Sequence, residues 1–257
     1  GQDLQQIKKG TSDAEKLTLS FYVKGNASAT YTCEISDDDN TRYVAQEFPV
    51  TTDWVRIVKT FVADTTGAFD DDNAKSMSVN FWLHAGSDFT GGTFSSNTVH
   101  TTGNQRVGDN QTSFFDSTDR TFFITGVQLE VGSQATNFEH RSVGEELQLC
   151  KRYCSVVAPI NDEAFTFGHN RTTTICVGVI RNHPVMRAVP TVAFSGATEF
   201  QVQHANGATQ TTAMAAGELS TEGVTVIATV GSGLTAGQGA EIREHTSGAT
   251  VTIDAEL

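Results

Sequence analysis

Between Leu17 and Val23 every second residue is apolar: Leu17, Leu19, Phe21 and Val23 alternate with Thr18, Ser20 and Tyr22. A period of two places one set on a single face of an extended strand, and no helix satisfies it. The pattern recurs through Tyr31, Cys33 and Ile35, and again through Met77, Val79, Phe81 and Leu83. Val55, Ile57 and Phe61 share a face with Lys59 interrupting them, and Ile124, Val127 and Leu129 slip phase at Gly126 as a β-bulge would. Turn-forming runs separate these segments: Gly25-Asn26, Asp37–Asn40, Thr65–Gly67, Asp70–Asn73 and Thr90–Gly92. Short strands with one polar face and long polar loops predict an antiparallel β-sandwich over residues 1–141.

One stretch breaks the rule. Ser142 followed by Glu145 fits a capping box, and residues 145–154 contain neither Gly nor Pro. Acidic residues open the stretch and basic ones close it, as the helix dipole favours. A single helix of about three turns is expected over 142–155, with Leu147, Cys150 and Cys154 in one stripe and Leu149 and Tyr153 beside it. So narrow a stripe must pack on something, either the flanking domains or another copy of the chain. From 156 to 257 strand patterning resumes, at Ala164–Phe167, Thr172–Ile180, Thr191–Phe194, Glu199–His204, Val224–Val230, Ala240–Glu244 and Thr250–Ile253. Pro184 and Pro190 bracket a stretch better suited to an edge or extended loop. The whole is expected to be all-β: two antiparallel β-sandwiches, the second smaller, joined by one short helix.

Charge limits the partners. The chain carries 17 Lys and Arg against 30 Asp and Glu, a net −13 in 257 residues. Such a surface repels polyphosphates, so neither nucleic acid nor an anionic membrane is expected. No segment approaches the roughly 20 apolar residues of a membrane helix, so no membrane insertion is expected. No basic-then-apolar leader opens the chain, and Gly1 in place of an initiator Met reads as a piece or processed product. The four cysteines, Cys33, Cys150, Cys154 and Cys176, are irregularly spaced and read as reduced thiols.

Candidate sites follow from residue type. Tyr22 and Trp82 lie opposite the apolar rows of their strands, so both rings face outward. An outward ring stacks on the C–H face of a sugar, with Asn80, Ser20 and Arg42 as hydrogen-bonding partners. A covering loop or subunit is the alternative, and the commoner fate of such a face. Asp70, Asp72 and Asn73 are candidate oxygen ligands for a structural Ca²⁺, against a solvated turn. The seven histidines lie on separate elements, no G-x-S-x-G elbow occurs, no spacing singles out a carboxylate pair, and no enzyme is expected.

Further residues carry a resemblance. Thr125–Gly132 (TGVQLEVG), Ala135–Arg141 (ATNFEHR) and Gly144–Tyr153 (GEELQLCKRY) together resemble a signature of bacteriophage tail fibre and tailspike proteins. Leu17–Lys24 and Asp64–Gly67 resemble the same family's carbohydrate-binding-module-like jelly roll, and His183–Thr191 and Asp254–Leu257 its C-terminal domain. Asn137 stands where that family often has Pro, and Lys151 where Gln is common. The resemblance covers most of residues 1–190 and the extreme C-terminus. It implies the distal part of a virion tail fibre, a homotrimer attached to an upstream fibre or tail protein, whose partner is host cell-surface polysaccharide or lipopolysaccharide. It equally suits a structural spacer, trimerisation or decoration domain with no sugar site of its own. In a trimer, Leu147, Cys150, Tyr153 and Cys154 are the candidate contact along the axis. The loops at Asn206-Gly207 and Gly217–Gly223 compete with the first domain for the receptor.

Overall fold

The alternating strands of the first half become two facing antiparallel sheets. In the computed structural model, which describes residues 1–72, 74–158, 163–182 and 184–255, the chain divides into two units, Gly1–His140 and Arg141–Leu257. The first unit contains β1 (Leu17–Gly25), β2 (Ala29–Asp37), β3 (Arg42–Val50), β4 (Val55–Phe61), β5 (Met77–Trp82), a single helical turn α1 (Ser87–Thr90), β6 (Val99–His100) and β7 (Phe122–Val131). One sheet has the order β4-β1-β7 and the other β5-β2-β3-β6.

Leu19, Phe21 and Val23 of β1 meet Tyr31 and Cys33 of β2 and Phe48 and Val50 of β3 in the core between the sheets. Phe21 touches both Phe48 and Phe81 edge-on at 5.1 Å, the geometry that ring quadrupoles favour. Phe21 and Phe48 are fully buried, and each side chain taken from water contributes about 1.5–3 kcal/mol. The sandwich form is therefore set by the period-two rows.

Gly126 sits at φ +59°, and the β1–β7 register shifts between Ser20 and Tyr22, so the phase slip is a bulge. After β7 the chain turns at Gly132 (φ +113°) and residues 133–140 fold back over the outer face of β4-β1-β7. Side chains of the sheet hold this strap. Gln128 donates to Thr136 and the Asn137 carbonyl and accepts from the Glu139 N–H, Glu130 accepts from both N–H and hydroxyl of Thr136, and Arg56 donates to the Thr136 carbonyl. The Thr136 and Gln128 bonds hold the Glu130 carboxyl below its ordinary range.

The second unit begins with α2 (Val143–Lys151), where Ser142 and Glu145 close the capping box in both directions. The Ser142 backbone and hydroxyl donors lower the Glu145 carboxyl. Then come β8 (Cys154–Val157), β9 (Ala164–Asn170), β10 (Ile175–Arg181), β11 (Thr191–Phe194), β12 (Phe200–His204), β13 (Gly207–Ser220), β14 (Gly223–Val230), β15 (Gly239–Glu244) and β16 (Val251–Asp254). Six of these strands close on themselves in the order β10-β14-β13-β12-β15-β9, and β11-β16-β8 forms a separate sheet of three. Strand patterning does not distinguish a packed pair of sheets from one sheet rolled shut, because both bury alternate residues. The core runs through Phe165, Phe200, Val226, Ile242 and Val251.

Two details depart from expectation. Gly217–Gly223 is not a loop: Gly217–Ser220 is the end of β13, a 14-residue strand whose Thr-, Ala- and Gly-rich sequence offers too few large apolar side chains to show a period. Ala205 and Asn206 form the tight turn between β12 and β13, and Gly207 opens β13. The helix stops at Lys151, which puts Cys154 on β8 and takes it out of the helical stripe.

Candidate functional site

Outward-facing residues of β2, β3 and β5 meet under the long segment 84–121. Thr32, Glu34 and Ser36 alternate with the core residues of β2, and register pairs Glu34 with Asn80 and Thr32 with Trp82. Glu34 is fully buried. An ionised carboxylate so placed is tolerated only when its oxygens are hydrogen-bonded, and here four donors converge. Arg106 reaches Oε1 through Nε and Oε2 through Nη2, both at 2.7 Å, while Asn80 and Trp82 each reach Oε2 at 3.0 Å. Arg106 lies 4.0 Å from the Tyr43 ring centroid and 4.9 Å from that of Trp82, and Phe89 of α1 packs on Trp82 at 4.9 Å. Although burial alone would lower it, the Glu34 bond raises the Arg106 pKa above its ordinary value.

Trp82 is thus half-buried: its N–H is donated to Glu34, and its ring touches Arg106 and Phe89. Asn80 is also committed, to Glu34 and Ser36.

An open aromatic surface begins where this cluster ends. His84 follows Trp82 by two residues, at most about 7 Å of chain. Its Nδ1 lies 2.9 Å from Ser113 Oγ, and its ring meets Phe115 edge-on at 5.3 Å. Ser113 also caps the short 3₁₀ turn Phe114–Asp116 by accepting from the Phe115 N–H. The Phe114 N–H bonds to the Leu83 carbonyl at 2.8 Å, and the Phe114 ring packs on the core. Phe115 is left 77% exposed on a turn anchored on both sides. Arg120 pairs with Asp116 beside it. Sequence patterning did not mark Phe115, His84, Glu34 or Arg106, because three of them sit outside strands and Glu34 reads as an ordinary solvent-facing position.

The structure does not bring the other sugar candidates together. Tyr22 is on β1 of the three-stranded sheet and Trp82 on β5 of the four-stranded one, both pointing away from the core, so the sandwich separates them. Ser20 is buried. Arg42 forms a two-point bond with Asp64 at 2.6 and 2.8 Å, and belongs to a different network. There Lys9 Nζ lies among Asp37 (2.5 Å), Asp64 (3.2 Å) and the carbonyls of Thr66 (2.9 Å) and Gly67 (2.6 Å). Burial would raise the Asp64 carboxyl, but bonds from Arg42, the Thr66 N–H and Lys9 together hold it below the usual range. Two hollows lie beside this network, one of about 40 Å³ lined by Ile7, Lys9, Asp37, Arg42 and Asp64, the other of about 370 Å³ lined by Leu4, Gln5, Lys8, Lys9, Thr11 and Phe69.

Asp70 and Asp72 are exposed, Asp72 accepts from the Ala74 N–H within its own turn, and Asn73 lies outside the described residues. Among the described residues no three His, Cys, Asp or Glu side chains converge on one point. On α2 nothing is buried, with Leu147, Leu149 and Cys150 exposed; Tyr153, in the turn after the helix, is exposed with Arg187 over its ring, and Cys154 is half-buried on β8. No described helix is long and apolar enough to cross a membrane. No family model, no curated protein and no solved structure matches the chain.

Proposed function

We propose that this chain is the distal part of a bacteriophage tail fibre, and that its first unit recognises the host by non-covalent binding to cell-surface polysaccharide or lipopolysaccharide. The observation that carries the reading is the exposed Phe115 ring, held by His84 and Ser113 at the edge of a rigid sandwich. A flat apolar ring fixed beside hydrogen-bonding side chains suits the C–H face of a pyranose, and little ordering is left to oppose binding. The signature that resembles tail fibres supports the virion setting, because its Gln128, Glu130 and Thr136 are the residues that tie the strap to β7. No covalent step is part of this reading. Single-site affinity would be modest and would be raised by several copies acting together.

The test is binding of the fluorescently labelled chain to a panel of bacterial cells and purified surface polysaccharides. Saturable binding to some hosts, lost in Phe115→Ala and kept in Tyr22→Ala, is the expected result. Loss in Tyr22→Ala alone would move the contact to the opposite sheet. Absence of binding to every surface would favour a spacer or decoration role in the virion.

A self-association role has its own support in α2. Val143 is 86% and Leu147 49% exposed on a helix with no buried residue. Isolated helices of this length are marginal, so a homotrimer packed through Leu147, Cys150 and Tyr153 would give α2 the burial it lacks. Sedimentation of the chain against Leu147→Lys tests this: a trimer that falls to monomer supports it, and a wild-type monomer removes it.

A further inference from the structure

We infer that the outer face of the β4-β1-β7 sheet is a second sugar platform, which takes glycans carrying a carboxylate or phosphate group. The inference rests on the glycan-binding reading above and adds a site on the sheet opposite β5, beside which Phe115 is anchored. Register places its parts. Phe21 and Val23 of β1 point into the core, so Tyr22 and Lys24, which flank Val23, point out. Toward β7, Lys24 pairs with Phe123 and Tyr22 with Thr125. Toward β4, Tyr22 pairs with Arg56 and Val23 with Val55, the first residue of that strand, which sets Trp54 beside Lys24. One row is therefore Trp54–Lys24–Phe123 and the next Arg56–Tyr22–Thr125. Trp54 is 49% and Phe123 51% exposed. Two strand spacings, roughly 10 Å, separate their backbones, a span for two consecutive sugar rings. Past the second row a Cβ on Gly126 would lie 3.2 Å from the Tyr22 ring and 3.7 Å from the Phe138 ring, so Phe138 of the strap closes the platform at that end.

Charge decides the ligand. The chain carries a net −13, yet the two charged side chains of these rows are both cations. Lys24 is half-buried, and its ammonium has neither hydrogen bond nor ion pair among the described residues. Arg56 donates from Nη2 to the Thr136 carbonyl and keeps its other donors. Three acids lie near. Glu130 feels Arg56 but has its oxygens held by the Thr136 N–H and hydroxyl, Glu139 is on the strap, and Asp53 is in the turn before Trp54. None of them neutralises Lys24. An ammonium without a counter-ion between two open rings suits a sugar with an anionic substituent: the rings take its C–H face, and Lys24 and Arg56 its charge. The polymer must be sparsely charged, since the rest of the surface repels dense polyanions. A symmetric contact with a second copy would instead bring these same cations together. Each platform alone binds weakly, and one polymer held on both gains from their joint action.

The experiment is calorimetric titration of the full chain with a uronate-bearing oligosaccharide and with its carboxyl-reduced, neutral form, at about 25 and about 500 mM NaCl. The expected result is tighter binding of the uronate form at low salt, by about fivefold or more, and near-equal binding of the two forms at high salt. Trp54→Ala should weaken the uronate form by about tenfold. Lys24→Gln, a surface change that keeps both rings, should remove the advantage of the uronate form, and Phe115→Ala should leave that advantage in place. Binding lost in Phe115→Ala but untouched by Trp54→Ala and Lys24→Gln would overturn the inference and leave the glycan reading standing. A wild-type oligomer that Trp54→Ala breaks in sedimentation would make this face a contact between copies and overturn the inference. Binding of neither form to the wild type would overturn both readings.

Discussion

Glu34 and Arg106 meet in a two-point bond, both contacts at 2.7 Å, with the carboxylate wholly out of solvent. Their union decides what the outer face of the four-stranded sheet can do. It fixes Arg106 against Tyr43 and Trp82 and takes up the indole N–H of Trp82. The sheet is thereby made a rigid support for the turn that carries the exposed Phe115 ring.

Removing one partner of this pair should cost far more than removing both. Arg106→Met leaves Glu34 buried and unpaired, a loss of about 3–5 kcal/mol, and Glu34→Gln leaves a half-buried guanidinium without its counter-charge. The double variant should recover a large part of the combined loss. Both tryptophans, Trp54 and Trp82, lie in the first unit, so urea unfolding followed by tryptophan fluorescence reports on that unit alone. Strict additivity in the cycle would show that the two side chains do not act as a pair.

Asp64 predicts an acid limb of stability. Its carboxyl titrates below the ordinary value in the folded unit, so the folded state binds fewer protons there than the unfolded chain. The stabilisation is therefore complete above about pH 4, near the unfolded carboxylate value, and is lost as pH falls toward and through the lower folded value. Asp64→Asn should lower stability at pH 7 and flatten the dependence between about pH 4 and pH 2. An acid limb as steep in the variant as in the wild type would assign that dependence to other carboxylates.

The cysteines divide by environment. Burial pushes the Cys33 thiol up to about 12 and the Cys176 thiol to about 11, so at pH 8 neither supplies an attacking thiolate. Cys150 is exposed on α2. A thiol reagent at pH 8 should therefore label Cys150 well before Cys33 and Cys176, which should react only on unfolding. Early modification of Cys33, read by mass spectrometry of peptides, would mean that the sandwich opens far more easily than its packing implies.

The sequence showed most where side chains face one core from a regular strand. Leu17–Val23 and Met77–Leu83 declared themselves by alternation, and Ser142 with Glu145 marked the start of α2, because those signals are local. β3 was silent: Gln46 stands in its inward row, between Val44 and Phe48, where it reaches the Thr60 carbonyl at 2.9 Å, and Pro49 follows. That partner lies 14 residues away, which no local pattern can show. The proposed site was less visible still. Trp82 drew attention by residue type, yet its exposure was decided by Arg106 and Phe89 arriving from a segment without periodicity. Phe115 gains its place from Ser113 and His84, 29 residues apart, and only the fold brings them together.

Gly168 is where the closed sheet of the second unit is most exposed to a single methyl group. It pairs with Gly178 across β9 and β10, the contact that completes the ring of six strands. A Cβ at Gly168 would lie 1.9 Å from the Val177 carbonyl oxygen and 2.8 Å from Gly178 Cα, both backbone atoms that cannot swing aside. At Gly178 the nearest atom would be Thr166 Cγ2 at 2.5 Å, a side chain able to rotate if it gives up its 2.8 Å bond to the Val179 carbonyl. At Gly239 the nearest atom is 4.0 Å away, so alanine fits there. Gly168→Ala must therefore part β9 from β10 and should cost at least the roughly 1–3 kcal/mol of ordinary overpacking. Gly178→Ala should cost less, and Gly239→Ala about nothing. Scanning calorimetry should show the transition of the second unit falling in that order, while tryptophan fluorescence of the first unit stays unchanged. If Gly168→Ala melts like the wild type, the two strands are not closed against each other at this pair, and the second unit is an open sheet.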